Sequence, residues 1–194
     1  MSSHSNFVIP CSDQPAVETA IRQARRMIEQ TAQRLQAPVN VPEDPRLGSY
    51  SLRQALTDVF KVQPGNSSMG QVFEIKTNFG LLAQAVKRAK ALCVSAAHPM
   101  CSQSGDLGHS AFAEAGADNT PTFYLCPAFF RATPRDQART IVHELAHARL
   151  GVLHRGGQLV NFEPCPNLSL RSFDDAIDNA YAYDAFADCV SRLR

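Results

Sequence analysis

His143-Glu144-Leu145-Ala146-His147 constrains this chain more than any other stretch. Histidines four apart stand one above the other on one face of an α-helix, because a turn takes about 3.6 residues. Two imidazole nitrogens then reach one tetrahedral Zn²⁺, and Glu144 lies beside the open coordination position. A glutamate there can take a proton from a zinc-bound water as it attacks a carbonyl. Only three residues of the pattern are fixed, and an exposed helix carrying two histidines is the plain alternative, so the flanking sequence decides.

The flank reads as a well-started helix. Thr133-Pro134-Arg135-Asp136 supplies a threonine N-cap, proline at the first helical position and a carboxylate three residues after the cap. Ala138, Ile141, Val142, Leu145 and Ala146 recur at helical spacing and give the helix a buried side, with His143 and His147 on a stripe at its flank beside Thr140. One edge anchored in the core and the next facing a cleft is what a zinc-binding helix needs. The helix is expected to reach Leu150 and stop at Gly151.

With 194 residues, residues 1–194 are expected to form one domain, and an apolar share of 44% supports a real core. A net charge of +1 argues against nucleic-acid or membrane-surface binding. No apolar run approaches the ~20 residues that span a bilayer. The start, Met1 to Pro10, lacks the basic opening and long apolar stretch of a secretory signal, so export is expected either after removal of a leader or by a route without one. Six cysteines, at 11, 93, 101, 126, 165 and 189, suit disulfides and an oxidising compartment, the alternative being six reduced core thiols. Spacing alone leaves fifteen connectivities open.

Along the chain, Gln14 to Leu35 is an amphipathic helix with Ala16, Val17, Ala20, Ile21, Ala24, Met27, Ile28, Thr31 and Leu35 on one side. Ala37 to Gly48 reads as a loop, Ser49 to Val62 as a second helix and Asn78 to Val94 as a third; Gln71 to Thr77 is ambiguous between strand and helix. Residues 1–94 are thus a helical half. From 95 onward come a loop holding Cys101, short strands at Ser110–Ala117 and Thr122–Cys126, the zinc helix, an irregular stretch to Leu170 and a last helix, Phe173 to about Leu193, capped by Ser172. Phe129 and Phe130 read as core. A sheet beside the zinc helix makes mechanistic sense, because an extended peptide can add itself as another strand.

The order Phe123-Tyr-Leu-Cys-Pro-Ala-Phe-Phe130, then His143-Glu-Leu-Ala-His147, then Ala176-Ile-Asp-Asn-Ala-Tyr-Ala-Tyr-Asp-Ala-Phe-Ala187 resembles the aspzincin metallo-endopeptidases, which include deuterolysin and the peptidyl-lysine metallopeptidases. The resemblance runs from about Cys93 to the C-terminus. It implies an α+β zincin-like fold, a Zn²⁺ cofactor, a polypeptide substrate and disulfides Cys11–Cys93 and Cys101–Cys126, leaving Cys165 and Cys189 for each other.

One departure is serious. Aspzincins take a third zinc ligand from the aspartate of a Gly-Thr-x-Asp-x-x-Tyr-Gly motif between the zinc helix and the terminal helix. From Ala148 to Phe173 this chain has no aspartate; its residues with ligand chemistry there are His154, Glu163 and Cys165. A catalytic zinc site normally has three protein ligands plus water. His154, past the break at Gly151, is the first choice, by analogy with metzincins, whose third histidine also follows a glycine turn but one residue sooner. Glu163 is second. Asp184 is third, because Asp184-Ala-Phe-Ala-Asp188 is similar to the Glu-x-x-Ala-Asp ligand helix of gluzincins, and Asp178 is fourth. Tyr181, more exposed than Tyr183, is the candidate donor to an oxyanion.

The reading is a zinc-dependent endopeptidase: His143, His147 and His154 on the metal, Glu144 as general base, Tyr181 beside them. Two alternatives stand, an exported toxin-type zinc hydrolase acting on cell-wall peptides and an inactive zincin-fold binding module. A secreted or exported monomer is expected, with a secretion apparatus or an immunity or inhibitor protein as further partners.

Overall fold

A computed structural model describes residues 5–36, 52–62, 68–102, 110–116, 120–154, 159–161, 165, 167–170 and 172–193. A single 3₁₀ turn precedes the two-residue strand β1 (Val8–Ile9). Helix α1 (Gln14–Arg34) starts where the Asp13 carboxylate accepts from the Ala16 N–H, and it buries the apolar side read from the sequence. Helix α2 (Leu52–Phe60) ends at Lys61, whose φ is 58°, and α3 (Ser68–Ala85) follows. Then come β2 (Lys90–Val94), the single-turn α4 (Pro99–Ser102), β3 (Ala111–Ala115) and β4 (Pro121–Leu125). After a 3₁₀ turn over Pro127–Arg131, α5 (Pro134–Leu150) carries the histidine pair. A small ribbon, β5 (Leu159–Asn161) with β6 (Asn167–Leu168), leads to α6 (Phe173–Ile177) and α7 (Ala180–Arg192).

The sheet has the order β1-β2-β4-β3, with β2 and β4 parallel and the outer pairs antiparallel. Two expectations change here. Residues 71–77 are helical, because Val72, Ile75, Phe79 and Leu82 make one buried stripe of α3. The third helix, expected to reach Val94, stops at Ala85, and 90–94 becomes the strand between β1 and β4. Its parallel partner begins at Pro121, a distant pairing that no local pattern announces. The mainly helical first half therefore contributes β1 and β2 to the sheet, and with α3–α4 and α5–α7 around it the fold is α+β.

The last expected helix is also divided. Asn179 interrupts it: its side chain accepts from the Tyr181 N–H at 3.0 Å and starts α7 afresh. Helix α5 packs against α1 and α7 and beneath β3 and β4, with Ile141, Val142, Leu145 and Ala146 fully buried. Phe60 and Phe79, from α2 and α3, hold α7 through rings 5.1–5.7 Å from those of Tyr183 and Phe186. Such pairs add roughly 0.5–1.5 kcal/mol each beyond the area they bury. Disulfides join Cys11 to Cys93, Cys101 to Cys126 and Cys165 to Cys189, the pairs that the resemblance implied. They tie β1 to β2, α4 to the end of β4, and the segment after α5 to α7.

Candidate metal centre

Helix α5 begins and ends as its sequence dictates. Thr133 Oγ1 accepts from the Asp136 N–H at 3.2 Å and donates to the Asp136 carboxylate at 2.7 Å. Gly151, at φ 70°, turns the chain into the left-handed region, and its N–H donates to the His147 carbonyl. The chain then folds back. Val152 is buried, and its carbonyl accepts from His147 Nδ1 at 2.6 Å. Leu153 is clasped by the break between α6 and α7: its N–H donates to the Asp178 carbonyl and its carbonyl accepts from the Ala180 N–H. These contacts carry His154 over the histidine pair.

Three Nε2 atoms meet there, at 3.1 Å between His143 and His147, 2.9 Å between His147 and His154, and 2.8 Å between His143 and His154. Among the described residues they are the group of histidine, cysteine and carboxylate side chains arranged to hold an ion. Their chemistry fits one. His147 Nδ1 faces a carbonyl and His143 Nδ1 faces the Asp184 carboxylate at 3.0 Å, so both rings donate through Nδ1 and turn an Nε2 lone pair inward. Inward lone pairs repel unless a cation sits between them. Around a tetrahedral Zn²⁺ with bonds of about 2.0–2.1 Å, ligand nitrogens stand about 3.3 Å apart, close to the triangle seen.

Glu144 follows His143 on the helix. Burial pushes its carboxyl up to about 7, with the Asp184 charge adding to the rise and His143 opposing it. Burial also holds His147 below the ordinary histidine value, against the pull of the Val152 carbonyl. Tyr181 lies over the cluster: its ring stacks on His154 at 26° and 5.0 Å and stands 4.5 Å from that of His143. It is 36% exposed, and burial followed by the charges of Asp184 and Glu144 raises its hydroxyl pKa. Tyr183 is core: its hydroxyl donates to the Ile177 carbonyl and accepts from Asn78.

The other ligand candidates stand elsewhere. Asp184 binds the outer nitrogen of His143 and does not join the three Nε2 atoms. Asp178 caps α6, and its carbonyl serves Leu153. Glu163 lies outside the described residues. Sequence reasoning missed the Val152 carbonyl, which carries no side-chain signal at all. It also missed Asn179 as a helix start, although asparagine is among the strongest N-cap residues. The spacing of Asp184 and Asp188 repeats that of Arg135 and Arg139 on α5, and this was the available clue to the pairing of the two helices.

The pattern of the lysine-specific metallo-endopeptidases matches residues 65–188. A zinc peptidase from Grifola frondosa has a similar fold, with a TM-score of 0.64 over 96% of this chain and 100% of its own at 17% identity. No curated protein matches in sequence. The family pattern spans β2, β3 and β4 of the sheet, the histidine helix and most of α7, and the chain belongs to the aspzincin family of zinc-dependent metallo-endopeptidases.

Proposed function

We propose that the cleft over His143, His147 and His154 is the catalytic centre, with these three histidines as the zinc ligands and Glu144 as general base. The reading is supported above all by the convergence of three Nε2 atoms within 3.1 Å while two of the rings are tied from behind. It makes all three protein ligands imidazoles, where aspzincins use an aspartate as the third. A zinc ion there would polarise a scissile carbonyl and bring the pKa of a water molecule down toward ~7.

The chain's own groups do the rest. Glu144, one residue from the first histidine, takes a proton from the attacking water and returns it to the leaving amine. Tyr181, with its ring against two of the three histidines, presents its hydroxyl to the oxygen that gains charge as the carbonyl becomes tetrahedral. Strand β3, at the edge of the sheet and packed on α5, offers its outer backbone groups to an extended peptide. Three disulfides fit action outside the cell, and no helix among the described residues is long and apolar enough to cross a membrane.

Glu144→Gln is the direct test. It should abolish cleavage of an unfolded protein substrate while zinc content stays near one per chain. Retained cleavage would reject Glu144 as the base; zinc lost on His143→Ala but kept on His154→Ala would reject His154 as the third ligand.

A further inference from the structure

Arg135, Arg139, His143 and His147 recur every fourth residue along α5, and Asp184 and Asp188 are four apart on α7. The two helices run side by side so that these stripes meet as rungs. Arg135 grips Asp188 with a two-pronged contact at 2.7 and 2.6 Å, and Arg192 approaches the same carboxylate at 3.3 Å. One turn closer to the cleft, Arg139 reaches Asp184 Oδ1 through Nε at 3.1 Å and Nη2 at 2.7 Å. The next rung is Asp184 Oδ2 against His143 Nδ1 at 3.0 Å. Each oxygen of this carboxylate, whose side chain is 5% exposed, has a separate partner.

We infer that Asp184 is a positioning residue for the metal centre: it fixes the ring of His143 with Nε2 inward, and Arg139 holds it in place for that task. The inference rests on the proposal that His143 is a zinc ligand. An imidazole free to turn about its χ2 bond presents either nitrogen, and a neutral ring exists in two tautomers. A carboxylate on Nδ1 removes both freedoms, since it can only accept, and it makes the opposite nitrogen a better donor to a metal. Arg139 occupies the other oxygen from a fixed, planar fork, so the carboxylate cannot swing away to bind the metal itself. His147 receives the equivalent restraint from a backbone carbonyl, so the two helical ligands are fixed by different means.

The test is zinc affinity of the full-length protein, measured by competition with a chromophoric chelator. Asp184→Asn keeps the shape but offers His143 a neutral amide, and it leaves Arg139, 16% exposed, without its counter-charge. A second variant therefore carries Asp184→Asn together with Arg139→Gln, which removes the unpaired guanidinium. If Asp184 positions His143, the zinc Kd rises about 10–100-fold in both, the range that partners of metal-bound histidines command. The Co²⁺-loaded forms should also show a shifted absorption band. A double variant that binds zinc as tightly as the parent would overturn the inference, because Asp184 would then serve only to neutralise Arg139. Should the parent protein itself bind no zinc, the three-histidine centre fails and this inference fails with it, a result distinct from the first.

Discussion

His147 donates through Nδ1 to the carbonyl of Val152 at 2.6 Å, so the second histidine of the helix is wired to the chain that delivers His154. Between them stands Gly151 at φ 70°, with open space where a Cβ would lie. Alanine there meets no neighbour, but it must hold a left-handed backbone, at a cost of roughly 1–2 kcal/mol. Gly151→Ala should therefore lower the melting temperature by roughly 2–8 °C, at about 2–4 °C per kcal/mol for a chain of this size. With His154 as the proposed third ligand, it should also weaken zinc binding, because relaxation of the turn withdraws that ring. Gly151→Asn, which tolerates this conformation, should lose less of both. Calorimetry and zinc titration of the two variants check this, and an alanine variant identical to the parent would contradict it.

The ring of Tyr181 and its hydroxyl make separable contributions. Tyr181→Phe keeps the stacking on His154 and the contact with His143, so the fold and zinc affinity should stay as they are. What it removes, in the proposed mechanism, is a donor to the developing oxyanion, a loss that costs about 10²–10³ in kcat in other hydrolases. The expected result is a fall of that order in kcat with KM little changed. If the hydroxyl only contacts solvent, kcat will stay within about twofold of the parent.

Local signals told most of this in advance, and long-range ones did not. Helix α5 was legible from Thr133 to Gly151 because its cap, proline and terminating glycine are all written in neighbouring residues. The strands at 111–115 and 121–125 were legible from a short apolar run beside turn residues. By contrast β2 looked helical, since Ala89, Ala91 and Leu92 suit either state and its partners lie about 30 residues ahead in β4 and about 80 behind in β1. The two helical histidines follow from spacing alone. The return of His154 over them depends on Leu153 bonding to Asp178 and Ala180, and backbone groups leave no mark in a sequence. The sequence offers Asp184 as a third-choice metal ligand, but which side of His143 it takes is decided by where α7 packs.

Metal removal should expose how much of the stability the three histidines command. With zinc at about 100 times its Kd, binding adds about 2.7 kcal/mol, which raises the melting temperature by roughly 5–11 °C for a chain of this size. Protons compete with zinc for the same nitrogens, since a ligand imidazole must be neutral. Burial holds His147 below the ordinary value of 6.5, so its ring stays neutral further into acid than a free histidine would. The sign follows. In the zinc-free protein the unfolded chain takes up a proton near pH 6.5 while the folded ring resists, so stability falls as the pH drops below that point. Protons displace zinc from the folded protein, so at this ligand the added stability is lost only where the folded ring takes up its proton, further into acid than 6.5. Melting curves between about pH 8 and pH 5, with zinc and with a chelator, should show a gap that holds through about 6.5 and closes only below it. A gap that is already closing at about pH 6.5 would mean that His147 is not held neutral by its burial, and that the second ligand is weaker than its place against Val152 implies.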